Sequence, residues 1–193
     1  MSLMPCFQSD QAFAEGIIIA KILAGYGELE VMMADCLIAI EGQLDTPIRA
    51  LFCERGEKKR IENAKDALLS DYTKAGLGAD LVEALDDMDW CRTIRNQYAH
   101  YQWYWTKQEG LCFVNLEELA QQSTAILKLT EGKHSVDAQV LLVQEEYLYY
   151  VKESFVHLAS AYRAWDRARS SSTQRISVYP KPSKLARPPL HKD

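Results

Sequence analysis

The chain has 193 residues, 48% hydrophobic and 25% charged, with a formal net charge of −5. This is the make-up of a single soluble domain around one core. No run reaches the length of a membrane-spanning helix, and the start, Met1 to Gln8, lacks the charged and apolar regions of a signal peptide. A cytoplasmic protein with no membrane partner is expected.

Asp10 is placed to cap a long first helix that runs to about Glu41 and stops at Gly42. Gly16, Ala20 and Ala24 recur along it as a small-residue strip that fits helix packing within the chain or against another copy. Thr46-Pro47 predicts a helix start with proline in the first helical position, and a short helix through Leu51-Phe52. After the charged stretch Glu54 to Arg60, the positions Ile61, Ala64, Leu68, Tyr72 and Ala75 keep a helical period that Gly76 and Gly78 end. Asp80-Leu-Val-Glu83 reads as a capping box opening a helix from about Leu81 to Trp105. Gly110 to Asn115 reads as a short strand. The segment 116–133 fits either a helix or a second strand. A final helix is expected from Asp137 to about Arg169, with Val140, Val143, Tyr147, Val151, Phe155, Leu158, Tyr162 and Trp165 as its apolar stripe.

Beyond Ser170 come Pro180, Pro182, Pro188 and Pro189, the composition of an extended segment without a core. From Arg163 onward the chain carries eight basic and two acidic residues, against 14 basic and 25 acidic before it. An acidic body therefore ends in a basic tail. Residues 1–169 are read as one domain and 170–193 as that tail.

Cys6, Cys36, Cys53, Cys91 and Cys112 are odd in number, widely spaced and form no C-x-x-C pair, so reduced thiols are expected. His100, His134, His157 and His191 show no ligand spacing. Neither a metal site nor a cofactor is expected.

The chemistry concentrates in the helix after Asp80. On a helical wheel Cys91, Ile94, Tyr98, Tyr101 and Trp105 form a core stripe. Arg92, Arg95, Asn96, Ala99, His100 and Trp103 fall on a nearly opposite arc. Arginine grips a phosphate through two hydrogen bonds. Histidine accepts and donates protons near neutral pH. Asn96 can orient the imidazole or hold a phosphate oxygen, and Trp103 adds a large aromatic surface beside His100. Arg95 and His100 diverge by about 140° on a straight helix, so a shared site needs fraying near His100 or a second copy of the helix. The same residues also fit a solvated face, since the helix dipole favours cations near a C-terminus. They fit equally a buried network in which Arg95 pairs with Asp87 or Asp89.

The segment Arg95-Asn96-Gln-Tyr-Ala-His100 resembles the R-polar-x-x-x-H signature of the HEPN superfamily (higher eukaryotes and prokaryotes nucleotide-binding domains). The wider string from Arg92 to His100, ahead of a strand with Phe113, resembles the mannitol operon repressor family and bacterial proteins with a similar Pro-rich, Leu-His-containing tail. The resemblance implies a mainly α, HEPN-like helical bundle with a short strand or hairpin insertion. It also implies a homodimer with the motif helices lining a cleft. In catalytic members of the superfamily, a metal-independent endoribonuclease, the histidine acts in acid-base catalysis and the arginine stabilises the phosphate. Here those would be His100 and Arg95, with Asn96 orienting the phosphate; Arg92 and Trp103, on the same helical face, are the candidate substrate-binding residues. Non-catalytic members imply the alternative, a regulatory module with a protein partner such as an antitoxin. The acidic body sits uneasily with RNA, whose backbone needs local positive charge.

Overall fold

The computed structural model describes residues 12–53, 56–115, 120–121, 133–170 and 176–191. Its described elements run in the order α1 (Phe13–Glu41), α2 (Asp45–Phe52), α3 (Glu57–Lys74), α4 (Gly78–Ala99), β1 (Gln102–Thr106), β2 (Gly110–Val114), β3 (Lys133–Ser135) and α5 (Ala138–Arg169). The protein is mainly α, with one small antiparallel sheet in the order β1-β2-β3. No described helix is long and apolar enough to cross a membrane. The expected cap Asp10 and most of the ambiguous segment 116–133 lie outside the described residues.

Local chemistry sets several boundaries. Gly42 adopts φ 72° and its N–H returns to Ile38 O at 2.8 Å, a left-handed stop that a residue with a Cβ makes at a cost. Asp137 Oδ1 accepts from the Gln139 N–H at 2.8 Å and so caps α5. α2 begins at Asp45, two residues before Pro47. Proline is tolerated there because first-turn N–H groups have no helical partner. Ile61, Ala64, Leu68 and Tyr72 are the buried positions of α3, on the expected period.

Three expectations are corrected. α4 opens at Gly78, so Asp80 lies inside the first turn and the capping box is not used; Asp80 and Glu83 pair instead with Lys181 (2.8 Å) and Lys184. α4 also ends at Ala99, not Trp105. Residues 102–106, Gln-Trp-Tyr-Trp-Thr, are rich in aromatic side chains that suit a pleated strand, and their backbone pairs with β2 in the register Trp103↔Phe113 and Thr106↔Gly110. A three-residue loop joins the strands, with Gly110 at φ 73° completing the turn. Finally, the buried side of α5 begins with Leu141, Gln144, Tyr147 and Leu148, while Val140 and Val143 are half-buried.

By contact density the chain forms two units, one of Met1–Ala24, Thr93–Glu146 and Pro188–Asp193, the other of Gly25–Arg92 and Tyr147–Arg187. The second unit holds the larger core: Leu29 and Met33 from α1, Leu68 and Tyr72 from α3, Leu81, Leu85 and Met88 from α4, and Val151 and Phe155 from α5. Tyr72 stacks on Tyr162 at 4.8 Å between centroids and donates its hydroxyl to Cys36 O at 3.2 Å. At Gly25 a Cβ would lie 3.4 Å from Leu148 Cδ2, so α1 meets α5 in van der Waals contact there. The expected small strip of Gly16, Ala20 and Ala24 is exposed instead. Arg163 grips both carboxylate oxygens of Asp35, at 2.9 and 2.5 Å.

Tail residues 176–187 run without regular secondary structure and are fixed to this unit by polar contacts. The Tyr179 N–H donates to Ser160 Oγ at 3.1 Å. Arg187 donates from Nε and Nη2 to Asp87 Oδ1, at 3.1 and 3.0 Å, and lies 5.9 Å from the Trp90 ring. Asp87 is only 4% exposed, so this guanidinium is what compensates a buried carboxylate.

The first unit is built around the sheet. Trp103, Phe113 and His134 form one row across the three strands, with centroids 5.3 and 5.2 Å apart. Tyr104, Cys112 and Val114 cluster together and are buried.

Among the described cysteines Cys36, Cys91 and Cys112 are buried, while Cys53, the C-cap of α2, is exposed. Burial pushes the Cys36 thiol up to about 12.

Phe155→Ala should destabilise the protein by about 3–5 kcal/mol in urea unfolding, because it opens a cavity where a fully buried ring stood. Arg187→Met, which keeps the aliphatic stem, should lower stability by about 1–3 kcal/mol by leaving the Asp87 carboxylate unpaired. Arg187→Lys should recover part of that loss.

Candidate functional site at the end of α4

The last turns of α4 present two sides. Ile94 and Tyr98 are fully buried, and their packing fixes the helix rotation. Arg95 and Asn96 are half-buried, and Ala99 and His100 are exposed. The His100 N–H still reaches Asn96 O at 3.3 Å, so His100 follows directly on the final helical turn.

Arg95 Nη1 donates to the side-chain oxygen of Asn96 at 3.1 Å. The amide oxygen therefore holds the guanidinium, a contact separate from the imidazole or phosphate expected for Asn96. Arg92 belongs to the other unit and donates from Nε to Asp89 Oδ1 at 2.8 Å. That bond raises the guanidinium's pKa and commits one edge of its fork to a protein carboxylate. Asp89 accepts from Arg92, and Asp87 from Arg187.

Trp103 does not share a helical arc with His100. It stands on β1, half-buried, with its indole N–H donating to Tyr98 O at 3.1 Å. Its ring stacks on Tyr98 with centroids 5.6 Å apart. An aromatic that the helical reading placed on an exposed face thus packs the end of α4 onto the sheet. The structure brings Arg95 and Asn96 together, places His100 at the helix end, and assigns Arg92 and Trp103 to other contacts.

Beside the motif is a network that the motif did not announce. Gln97 Nε2 donates to His191 O at 3.1 Å. The Tyr98 hydroxyl donates to Gln144 Oε1, and Gln144 Nε2 donates to Pro189 O at 2.7 Å. Gln144 is fully buried. A glutamine within the apolar side of α5 was the signal in the sequence that could have found it, because a buried amide needs partners. The His191 ring lies edge-on to Tyr98 and Phe113, with centroids at 6.0 and 5.7 Å.

A cleft of about 490 Å³ opens between the first turns of α4 and the tail, lined by Val82, Asp86 and Leu185 among others. None of Arg92, Arg95, Asn96, His100 or Trp103 lines it. Among the described residues no group of three His, Cys, Asp or Glu side chains is placed to hold a metal ion. Comparison of the chain with protein-family models, curated proteins and solved structures finds no match.

Because His100 is exposed, His100→Ala should change unfolding free energy by less than about 0.5 kcal/mol in a denaturant titration. A larger loss would mean that the imidazole is a packing group, not a reactive one.

Proposed function

We propose that the chain is a HEPN-type domain whose Arg95, Asn96 and His100 act on the phosphodiester backbone of RNA as a metal-independent endoribonuclease. The observation that carries this reading is the Arg95–Asn96 hydrogen bond one turn before an exposed His100. It supplies an oriented cation and an accessible acid-base group on the same short segment.

In this reaction His100 takes the proton from a ribose 2′-hydroxyl as that oxygen attacks the adjacent phosphorus. The P–O5′ bond breaks, leaving a 2′,3′-cyclic phosphate and a 5′-oxygen that receives a proton. Arg95 stabilises the charge that builds on the phosphoryl oxygens, and Asn96 holds Arg95 in place. In this reading the working form is a homodimer, one copy's arginine serving the other's histidine.

A second reading, a non-catalytic regulatory or interaction module, is favoured by a different observation. Basic groups that could attract RNA are paired with acids of their own chain: Arg92 with Asp89, Lys181 with Asp80, Lys184 with Glu83 and Arg187 with Asp87. Such a module would engage a protein partner, such as an antitoxin, through the same helix end.

Incubation of the chain with structured RNA in EDTA tests the two. Cleavage should fall about 100- to 10,000-fold in His100→Ala, with cyclic phosphate ends on the wild-type products. Equal turnover in the two proteins overturns the catalytic assignment. A loss of dimer in ultracentrifugation without any RNA turnover in either protein supports the regulatory reading.

A further inference from the structure

The last described residues of the tail end inside the first unit, not at its surface. His191 is 6% exposed, an unusual depth for a polar ring. Pro188 is buried beside it. The seat is built from separate elements: Tyr98 and Gln97 on α4, Phe113 on β2 and Gln144 on α5. Trp103 backs Tyr98, and His134 backs Phe113. Two polar anchors, Gln97 to His191 O and Gln144 to Pro189 O, hold the tail's backbone, and the ring itself meets aromatic side chains edge-on. Among the described residues His191 Nε2 is buried with no hydrogen-bond partner. The seat therefore suits a neutral ring and gives a proton on Nε2 no acceptor among the described residues.

We propose that Pro188–His191 is an acid-releasable plug, a segment of the chain that fills the Tyr98/Phe113 basin when His191 is neutral and leaves it when His191 is protonated.

Burial lowers the His191 pKa. The charged and titratable groups around the ring act in opposite senses: Asp137, ahead of α5, favours protonation, and His134 on β3 opposes it. The remaining neighbours on α4 and α5, Gln97, Tyr98 and Gln144, carry no charge near neutral pH. Above the ordinary histidine value of about 6.5 the seated and released rings are both neutral, and the plug is held at full strength. Below it, a released ring binds a proton that the seated ring resists. Seating then weakens by up to about tenfold per pH unit, until the pH passes the seated ring's own lower value. The ion pairs that fix residues 181–187 contain no histidine. Release is therefore local to the tail's end.

The test is nuclear magnetic resonance on the full chain. The ¹H–¹³C imidazole signal of His191 should titrate with a midpoint below 6.5. The heteronuclear NOE of the Leu190 and His191 amides should fall from a rigid value at pH 7.5 to a mobile one near pH 5, with core amides unchanged. His191→Phe, an apolar ring that cannot take a proton, should keep those positions rigid at both pH values. A wild-type tail that stays rigid at pH 5, or a His191 midpoint at or above 6.5, overturns the proposal. So does loss of order with acid in His191→Phe that parallels the wild type, since the sensor would then be another group. If the phenylalanine ring does not seat at either pH, the wild-type titration and NOE decide the question alone.

Discussion

Between Ala99 and Gln102 the backbone changes hydrogen-bond partners, from the preceding turn of α4 to the neighbouring strand β2. Every backbone N–H and C=O buried there must be satisfied one way or the other, and this handover organises the surrounding structure. It leaves His100 at the helix end, beyond the last helical residue. It turns Trp103 onto the sheet, where its indole N–H meets the Tyr98 carbonyl and its ring covers Tyr98. It also brings Phe113 to the centre of an aromatic group that Tyr101, His134 and His191 join.

Much of the helical frame was legible because periodicity and end signals agree. Ile61, Ala64, Leu68 and Tyr72 read directly as the buried side of α3, and Gly42 and Gly76 mark stops where the backbone does take positive φ. The end of α4 was not legible in the same way. Tyr101, Trp103 and Trp105 satisfy a helical stripe and an aromatic strand alike, and only pairing with β2 decides between them. Asp80 and Glu83 have the spacing of a capping box, but Lys181 and Lys184, a hundred residues away, claim both carboxylates. Of the candidate site, the Arg95–Asn96 contact follows from adjacency. The burial of His191 depends on a long-range return of the chain that no local pattern encodes.

The tail's charge shows why composition and electrostatics need separate treatment. Eight basic residues from Arg163 onward look like a surface for a polyanion. In the folded chain, Lys181, Lys184 and Arg187 meet a row of acids on α4, and Arg163 meets Asp35. The exposed lysine pairs add little stability singly. They do cancel much of the field that a count of tail charges assigns to solvent, and Arg187 covers the one carboxylate among them that is buried.

The cysteines carry a practical consequence of the same packing. Thiol reagents attack the thiolate, so a sulfur that is both buried and held far from ionisation is silent to them. Cys36 is in that state, and Cys91 is buried with its thiol also pushed up. Cys53 stands exposed where α2 ends. Among the described cysteines the fold therefore designates one position for a spin label or fluorophore. It stands at the C-cap of a short helix, where a reporter meets an exposed thiol.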